Sequence, residues 1–341
     1  MARPMRIWMP TVRSRSGADI FAERLAKGLR RAGHDPVLEW VDLRYEVAPW
    51  LLRRMSMPPG TDIIHAGSIQ GFALKRKGVP LVVTEHQYLR HPAFLPYSRG
   101  LRRAYQRLLI HGYMARSYSV ADALVAVSDH CAVAMRTDLG RPVEVIHNWV
   151  DVDSFKARVA QRPHEPFRLL FVGNPSPWKG VDVLAPLARD LGDAFVLQVM
   201  GGIRKGYAVD ASAPGNLHVM ESRPSNDMPK AYAEADAALV VSRYESFGYV
   251  ALEAMASGLP VVGFDNTGTS EVCVNGETAL LGITDDLQQL AANCRRLATD
   301  GTLWGRLGHA GRRRAELQFN EDQAIEGYLD VYRRVRGRNF G

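Results

Sequence analysis

The 341-residue chain is 46% hydrophobic and 23% charged, a globular composition that excludes a disordered, collagen-like or low-complexity protein. At about 150 residues per domain, this length favours two domains. No apolar run approaches the ~20 residues that a membrane helix needs, and the first run, broken at Pro10, is too short for a signal peptide core. Three widely spaced cysteines without a Cys-x-x-Cys pair favour a reducing, cytoplasmic setting without structural zinc.

The net charge of +7 is unevenly distributed along the chain. Residues 1–160 hold 24 Lys and Arg against 14 Asp and Glu, whereas the remainder hold 19 against 22. A basic first half indicates an anionic partner. Nucleic acid, an anionic membrane surface and an acidic substrate all fit that description, and charge alone does not choose among them.

Short apolar runs alternate with amphipathic stretches throughout the chain. The first half predicts strands at 5–9, 36–41, 62–65, 80–84, 123–127 and 143–146, and helices at 18–32, 68–77, 99–119 and 129–137. The polar segment 147–166 is typical of a linker. Beyond it the pattern predicts strands at 167–172, 195–200, 236–241, 260–263 and 279–281, and helices at 180–191, 227–235, 248–257, 284–299, 302–317 and 321–336.

This alternation predicts an α/β protein with two Rossmann-like domains facing a cleft. We expect an N-terminal domain over 1–155, a second domain over 166–320 and a C-terminal helix over 321–341. Ligands of such sheets bind beyond the carboxyl ends of the strands. The motifs at those ends are therefore the candidates for a functional site.

The strongest motif spans residues 242–262, which read as strand end, glycine-bearing turn, helix and strand. Gly248 lets the backbone approach a ligand where the helix begins, and helix N-termini attract phosphate. Glu245 precedes the helix and Glu253 lies within it. At ~1.5 Å rise per residue they are most of 10 Å apart, too far to share a proton. This spacing favours two carboxylates that hold hydroxyls at opposite ends of one long ligand.

The motif Glu245-x7-Glu253 resembles that of family 4 retaining glycosyltransferases, which have the GT-B fold. Segment 147–155 is similar to the interdomain segment of that family, 171–180 to its diphosphate-binding loop, and 268–277 to the stretch after its second glutamate. The resemblance covers most of the chain. It implies that the first domain binds the acceptor and the second the nucleotide-sugar donor. It also implies that the final helix crosses back onto the first domain.

The resemblance also implies roles for individual residues. Glu245 contacts the hydroxyls of the donor sugar, and Phe247 and Gly248 offer backbone N–H groups. Glu253 holds the ribose, while Lys179 neutralises the diphosphate of a nucleotide sugar. Charge on the leaving group grows as the glycosidic bond breaks, so a fixed cation helps the transition state most.

Two residues of the first domain match the family pattern. Gly17 lies in the loop between the first strand and helix, which in the family borders the donor phosphate and the acceptor. The nearby Asp19 could simply cap or start that helix. His86 follows a predicted strand and matches a histidine near the donor sugar. The candidate catalytic residues are therefore His86, Lys179 and Glu245.

The diphosphate-binding loop departs from the family at one position. Where the family has Arg after Gly173, this chain has Asn174. Asparagine keeps a hydrogen-bond donor but lacks the positive charge and the forked guanidinium of arginine. Another cation could compensate, and Arg204, Lys205 and Arg243 are candidates. Otherwise donor recognition differs in this branch.

Segment 98–117 contains five arginines and no acidic residue, with apolar residues interleaved. Segment 50–55 is a second patch of this kind. Such segments can lie on an anionic membrane, where each Lys or Arg contributes ~1 kcal/mol. The alternative is a core-facing helix with a solvated basic face. We expect no nucleic-acid partner, because the chain contains no known binding module.

Together with these patterns, the resemblance implies a metal-independent, retaining glycosyltransferase that needs no cofactor and takes a nucleoside-diphosphate sugar as substrate. Asp151-Val152-Asp153 falls in the linker, where we expect no metal site. The basic first half favours an anionic or lipid-linked saccharide acceptor in envelope or exopolysaccharide assembly, and a peripheral place on the inner face of the membrane. A nucleotide-sugar epimerase of the same fold and a non-catalytic nucleotide-sugar-binding protein remain as alternatives.

Overall fold

The computed structural model describes residues 3–14, 17–98, 100–155, 163–174, 176–201, 214–224 and 227–338. The chain divides into two compact units. One consists of Met1–Asn148 and Glu321–Gly341, and the other of Trp149–Asn320. The boundary at Trp149 falls inside segment 147–166, which was expected to be the linker.

The described residues form twelve strands and thirteen α-helices. The strands are β1 (Arg6–Val12), β2 (Asp35–Val41), β3 (Ile63–Gly67), β4 (Leu81–Glu85), β5 (Ala123–Ala126), β6 (Glu144–Val145), β7 (Phe167–Val172), β8 (Phe195–Met200), β9 (Leu217–Met220), β10 (Ala237–Val240), β11 (Val261–Phe264) and β12 (Ala279–Gly282). The helices are α1 (Gly17–Arg31), α2 (Arg44–Val47), α3 (Gly71–Leu74), α4 (Gly100–Tyr105), α5 (His111–Val120), α6 (Asp129–Leu139), α7 (Val181–Leu191), α8 (Met228–Ala233), α9 (Tyr249–Ala256), α10 (Thr267–Val272), α11 (Leu287–Thr299), α12 (Gly301–Gln318) and α13 (Glu321–Arg338).

The first unit contains a parallel sheet in the order β2-β1-β3-β4-β5-β6. Strands β3, β4 and β5 are almost entirely buried, as expected for a parallel sheet covered on both faces. The strand order reverses between β1 and β3. Crevices for ligands form at such reversals, beyond the carboxyl ends of the strands.

Helix α13 packs within this first unit through a buried polar layer. Tyr332 Oη lies 2.5 Å from Nδ1 of His65, whose Nε2 lies 2.9 Å from Thr84 Oγ1. Tyr328 Oη lies 3.3 Å from the same threonine hydroxyl. His65 is only 4% exposed, so this network gives its ring the partners that a buried polar group requires.

The second unit contains a parallel sheet in the order β12-β11-β10-β7-β8-β9. When β7 is counted as the first strand, the strands follow the doubly wound Rossmann order. The strand order reverses between β7 and β10. Helix α7 covers one face of the sheet with Val183, Leu184, Leu187 and Leu191, which recur at helical spacing and are all buried.

The strands and the longer helices lie within a few residues of the positions predicted, with four differences. The single-turn helix α2 was not predicted. Strand β9 was not predicted, because half of its residues are exposed and its apolar run is short. Helix α10 was also missed, because it is only six residues long, contains a glycine and shows no apolar periodicity. The predicted helix at 68–77 is reduced to Gly71–Leu74.

Within the described residues, no helix combines the length and the hydrophobicity that crossing a bilayer requires. The three cysteines, Cys131, Cys273 and Cys294, are buried and are not joined in a disulfide.

Candidate functional site

The candidate site of the second unit is built from the loops that follow β7, β10 and β11. These three strands are neighbours and parallel, so the loops after them, at 173–180, 241–248 and 265–268, emerge at one edge of the sheet. This edge includes the reversal between β7 and β10, where doubly wound sheets bind their ligands.

Lys179 and Glu245 meet at this reversal. Lys179 Nζ donates to Glu245 Oε1 at 2.6 Å, and the two side chains are 22% and 13% exposed. Ser242 Oγ donates to the same carboxylate oxygen at 2.6 Å. The structure thus brings together two candidate catalytic residues that lie 66 positions apart. It leaves Glu245 oriented and partly accessible.

The loop that carries Glu245 is held by the residues after β11. Asn266 donates its side-chain amide to the carbonyl of Ser242 at 2.6 Å. Thr267 Oγ1 accepts from the backbone N–H of Glu245 at 3.2 Å and donates to its carbonyl at 2.7 Å. Asn266 and Thr267 were not predicted from the sequence. Their only signal was a position directly after a buried strand, beside the matching segment 268–277.

Helix α9 begins at the glycine expected to face the ligand. Gly248 has a φ of +102°, and a Cβ there would lie 3.3 Å from the carbonyl of Gly268, so another side chain would be strained. The ring of Phe247 is buried 5.6 Å from that of Tyr249. Its side chain therefore anchors the loop.

Glu253 lies within α9 and is 9% exposed. Tyr232 Oη donates to Glu253 Oε2 at 3.1 Å. A carboxylate at this depth needs such partners. Glu253 lies eight residues beyond Glu245, in the second turn of α9.

The loop after β7 approaches the end of β8 closely. The backbone N–H of Gly173 donates to the carbonyl of Met200 at 2.9 Å. A Cβ on Gly201 would lie 1.9 Å from the Gly173 carbonyl. A side chain at position 201 would therefore clash with the loop, and Gly201 was not among the residues selected from the sequence. Ser176 Oγ is buried in this loop and has no hydrogen-bond partner among the described residues.

Arg243 has its guanidinium bound within the protein. It makes two hydrogen bonds of 2.7 and 2.8 Å to the carboxylate of Asp182, one of 2.7 Å to Asp285 and one of 2.7 Å to the carbonyl of Pro177. Asp182 is the first cause of the raised pKa of Arg243. The side chain is 12% exposed, so its charge is held by protein partners and not by solvent. We interpret it as a clamp between the loops.

The other two cations considered for the missing family arginine, Arg204 and Lys205, lie outside the described residues. Asn174 is described and exposed. In the part of the site that the structure describes, Lys179 is the cation paired with Glu245.

In the first unit, His86 directly follows β4. Its ring lies 4.4 Å from the ring of Phe21 in an edge-on arrangement, and burial lowers the pKa of His86 to about 4. The imidazole is therefore neutral at pH 7 and can donate or accept a hydrogen bond. Gly17 is exposed at the start of α1. Asp19 Oδ1 accepts from the N–H of Ser14 at 3.1 Å and from its hydroxyl at 2.8 Å, which ties that loop to the helix.

Comparison with known proteins identifies the family. Residues 40–154 match the model described as Glycosyltransferase Family 4, and residues 153–314 match that of Glycosyl transferases group 1. The chain is a family 4 glycosyltransferase. The motif around Glu245 and Glu253 thus belongs to a glycosyltransferase.

Curated relatives of this glycosyltransferase act on different molecules. D-inositol 3-phosphate glycosyltransferase 1 of Catenulispora acidiphila is 29% identical over 311 residues, covering 81% of this chain and 73% of that protein. Glycogen synthase of Mycobacterium tuberculosis is 29% identical over 243 residues. That match covers 65% of this chain and 58% of the synthase, so the chain spans little more than half the length of this relative.

Solved structures establish that the glycosyltransferase has the GT-B fold. Sucrose-phosphate synthase from Thermosynechococcus elongatus superposes with a TM-score of 0.83 at 18% identity, covering 98% of this chain and 100% of the other. Anabaena HepE, solved in complex with UDP-glucose, gives a TM-score of 0.74 at 18% identity, covering 96% and 99%.

Proposed function

We propose that this glycosyltransferase moves a sugar from a nucleoside-diphosphate sugar to a hydroxyl acceptor, with retention of the anomeric configuration and without a metal. The observation that carries the proposal is the contact between Lys179 and Glu245 at the strand reversal of the second unit. It places one cation and one carboxylate where a ligand with both a diphosphate and sugar hydroxyls can engage them.

In the proposed complex the donor lies along the edge formed by the loops after β7, β10 and β11. Glu253 accepts hydrogen bonds from the ribose hydroxyls, and Glu245 accepts from the donor sugar. Lys179 turns from Glu245 to the diphosphate, and the start of α9 at Gly248 presents its N-terminal end to the same anion. A donor of this class is supported by HepE, which was solved with UDP-glucose.

The proposed reaction takes place on one face of the donor sugar. The bond between the anomeric carbon and the diphosphate oxygen breaks while the acceptor oxygen forms its bond from the same side. The acceptor proton passes to the departing phosphate. Lys179 neutralises the charge that develops there, which is where a fixed cation stabilises the transition state most. Glu245 binds the sugar in this scheme, with its carboxylate held by the hydroxyl of Ser242.

His86 is proposed to hydrogen-bond the donor sugar from the first unit. Its neutral imidazole suits a hydroxyl partner better than a phosphate. The acceptor is proposed to bind this unit, whose basic character favours an anionic or lipid-linked saccharide. One relative is named for D-inositol 3-phosphate, so acceptors that carry a phosphate fall within the range of the family.

A transfer assay followed by proton NMR tests the function. We expect one nucleotide sugar from a panel with UDP, GDP and ADP to be consumed only in the presence of a hydroxyl acceptor, with excess EDTA present. The new glycosidic signal is expected to have the coupling of the donor's own anomeric configuration. Turnover without acceptor would indicate an epimerase. Donor binding without turnover over a broad acceptor panel would indicate a non-catalytic binding protein.

Thr267 provides a sharper test of the donor loop. Replacing Thr267 by Val removes both hydrogen bonds to the backbone of Glu245 while nearly preserving shape. We expect the KM for the donor to rise roughly tenfold, because a misplaced loop loses about one hydrogen bond to a charged group. Thr267→Ser keeps the hydroxyl and is expected to restore KM. If the serine variant were as impaired as the valine variant, the hydroxyl would not be the positioning group.

We also propose that the first unit contacts an anionic membrane through a basic and apolar surface. Tyr113 Oη donates to the carbonyl of Val47 at 3.3 Å and its ring lies 6.1 Å from Trp50, so segments 44–54 and 105–116 lie side by side. Leu108 is 77% and Trp50 47% exposed. The exposed arginines that accompany them are Arg53, Arg54, Arg103, Arg107 and Arg116. Exposed apolar groups among cations match an anionic bilayer surface.

Vesicle flotation tests this membrane contact. Wild-type protein is expected to float with vesicles that contain phosphatidylglycerol and to remain below with pure phosphatidylcholine. Replacing Arg53 and Arg54 by Gln is expected to weaken binding roughly tenfold or more, at ~1 kcal/mol per arginine. Replacing Arg295 and Arg296, exposed on α11 of the second unit, is the matched control. Equal flotation with both lipids would contradict a charge-driven contact.

A further inference from the structure

The loop that carries Lys179 lies directly against the loop after β10. The backbone N–H of Arg243 donates to the carbonyl of Trp178 at 2.7 Å. The guanidinium of the same arginine donates through Nη1 to the carbonyl of Pro177 at 2.7 Å. One residue of the second loop therefore fixes two consecutive carbonyls of the first, immediately before Lys179.

Gly180 shows how closely the two loops approach on the other side of Lys179. Its φ is +71°, and a Cβ there would lie 2.1 Å from the carbonyl oxygen of Val241. A residue with a side chain would have to push the loops apart, whereas glycine adopts this backbone conformation without strain. The backbone is thus fixed both before and after Lys179, so the lysine side chain starts from a defined point.

Two carboxylates from other segments hold the guanidinium of Arg243 in turn. Asp182 lies in the first turn of α7, and Asp285 follows β12. The hydrogen bonds from Arg243 lower the pKa of Asp182, so this carboxylate is ionised at pH 7. Asp285 meets the guanidinium at 2.7 Å with a φ of +69°, which is uncommon for a residue other than glycine. The positive charge of Arg243 is therefore compensated within the protein.

Lys179 differs from Arg243 in both respects. Its side chain is more exposed, at 22% against 12%, and it is paired with Glu245, a residue of the candidate site. A flexible lysine on a loose loop would have to be ordered each time a donor binds, and that ordering would weaken binding. A loop that is already fixed presents the cation without this cost.

We propose that Arg243 is a positioning residue for the transfer reaction: held by Asp182 and Asp285, it places Lys179 for the diphosphate and does not contact the donor itself. The proposal rests on the proposed function, since the diphosphate role of Lys179 belongs to it. On this view Arg243 does not stand in directly for the arginine that the family has at position 174. It supports the neighbouring lysine instead.

Calorimetric titration with nucleotides tests the proposal. UDP, GDP and ADP are each compared with their own monophosphate in the presence of EDTA, because the monophosphate lacks the terminal phosphate that Lys179 is proposed to contact. We expect wild type to bind one diphosphate at least about tenfold more tightly than its monophosphate, the effect of one hydrogen bond between charged groups. Arg243→Lys keeps the positive charge but cannot bridge all these partners, and is expected to lose most of that preference while binding the monophosphate as wild type does.

Arg295→Lys is the matched control. Arg295 of α11 pairs with Asp190 near the end of α7, whereas Arg243 pairs with Asp182 at its start. This control is expected to keep the wild-type preference for the diphosphate within about twofold. Asp182→Asn removes the charge of one partner at nearly constant volume and is expected to lower the preference in the same direction as Arg243→Lys. It carries the test if thermal melting shows that Arg243→Lys does not fold.

A double variant shows whether Arg243 acts through Lys179. If it does, adding Arg243→Lys to Lys179→Met is expected to lower the preference by less than about twofold beyond Lys179→Met alone. Two losses that add in full would show that Arg243 contacts the diphosphate itself, and would overturn the proposal. A wild-type preference that persists in both Arg243→Lys and Asp182→Asn would also overturn it, while leaving the proposed function standing. Absence of nucleotide binding by wild type would overturn the proposed function, and this proposal with it.

Discussion

Replacing Lys179 by methionine is expected to lower kcat/KM for sugar transfer roughly 100- to 1000-fold, the usual cost of removing one preorganised group that stabilises developing charge. Methionine keeps most of the side-chain volume and removes only the cation. Lys179 is 22% exposed and contacts Glu245 at 2.6 Å, so it acts in a partly dry setting where its charge is weakly screened. The loss is expected in kcat as well as KM, because the diphosphate charge grows as the bond breaks.

Lys230→Met is the matched control for this experiment. Lys230 belongs to the same unit and pairs with Asp227, but its side chain is 76% exposed on α8. Its replacement is expected to leave kcat/KM unchanged within about twofold. A loss below about tenfold for Lys179→Met, with donor binding unchanged, would contradict the role given to this lysine.

The stability of the first unit is expected to fall as the pH drops below about 6.5, and His65 is a main cause. Burial, and then the charge of His86, lowers the pKa of His65 from 6.5 to about 3. The unfolded chain therefore binds a proton on His65 near pH 6.5, whereas the folded chain does not. Stability is fully present above that pH and declines below it by about 1.4 kcal/mol per pH unit, until the folded pKa is reached.

His65→Gln isolates this contribution. Glutamine does not titrate but retains a donor and an acceptor for Tyr332 and Thr84. Urea unfolding between about pH 7.5 and about pH 4.5 is expected to show a wild-type decline roughly 2–3 kcal/mol larger than that of the variant. His218→Gln, at an exposed position of β9, is expected to behave as wild type. Parallel pH profiles for wild type and His65→Gln would show that this ring is not kept neutral by the fold.

Much of the fold could be predicted because parallel sheets leave a clear pattern. Buried strands such as β7 and β10 read as short apolar runs, and their helices carry apolar residues at regular spacing. The exposed edge strand β9 lacks that pattern. The order of the strands within each sheet was not predicted, because it depends on pairing between distant segments that a single sequence does not show.

The candidate site shows the same division between local and long-range information. Glu245 and Glu253 belong to one continuous motif and could be selected from sequence. The clamp on Arg243 could not, because Asp182 and Asp285 lie 61 and 42 residues away. The two hydrogen bonds of Thr267 to the backbone of Glu245 could not be predicted either, because they depend on the adjacency of β10 and β11. Hydrogen bonds between successive loops at a sheet edge carry no signature in either segment alone.

A thermal-shift titration with UDP, GDP and ADP in the presence of EDTA tests the central claim most directly. We expect one of these nucleotides to stabilise the protein, by about 2.7 kcal/mol at 100 times its dissociation constant. Glu253→Gln and Lys179→Met are expected to remove most of that shift, while Lys230→Met retains it. No response to any nucleotide, or a shift that persists undiminished in both site variants, would contradict a nucleotide-sugar site at the strand reversal of the second unit.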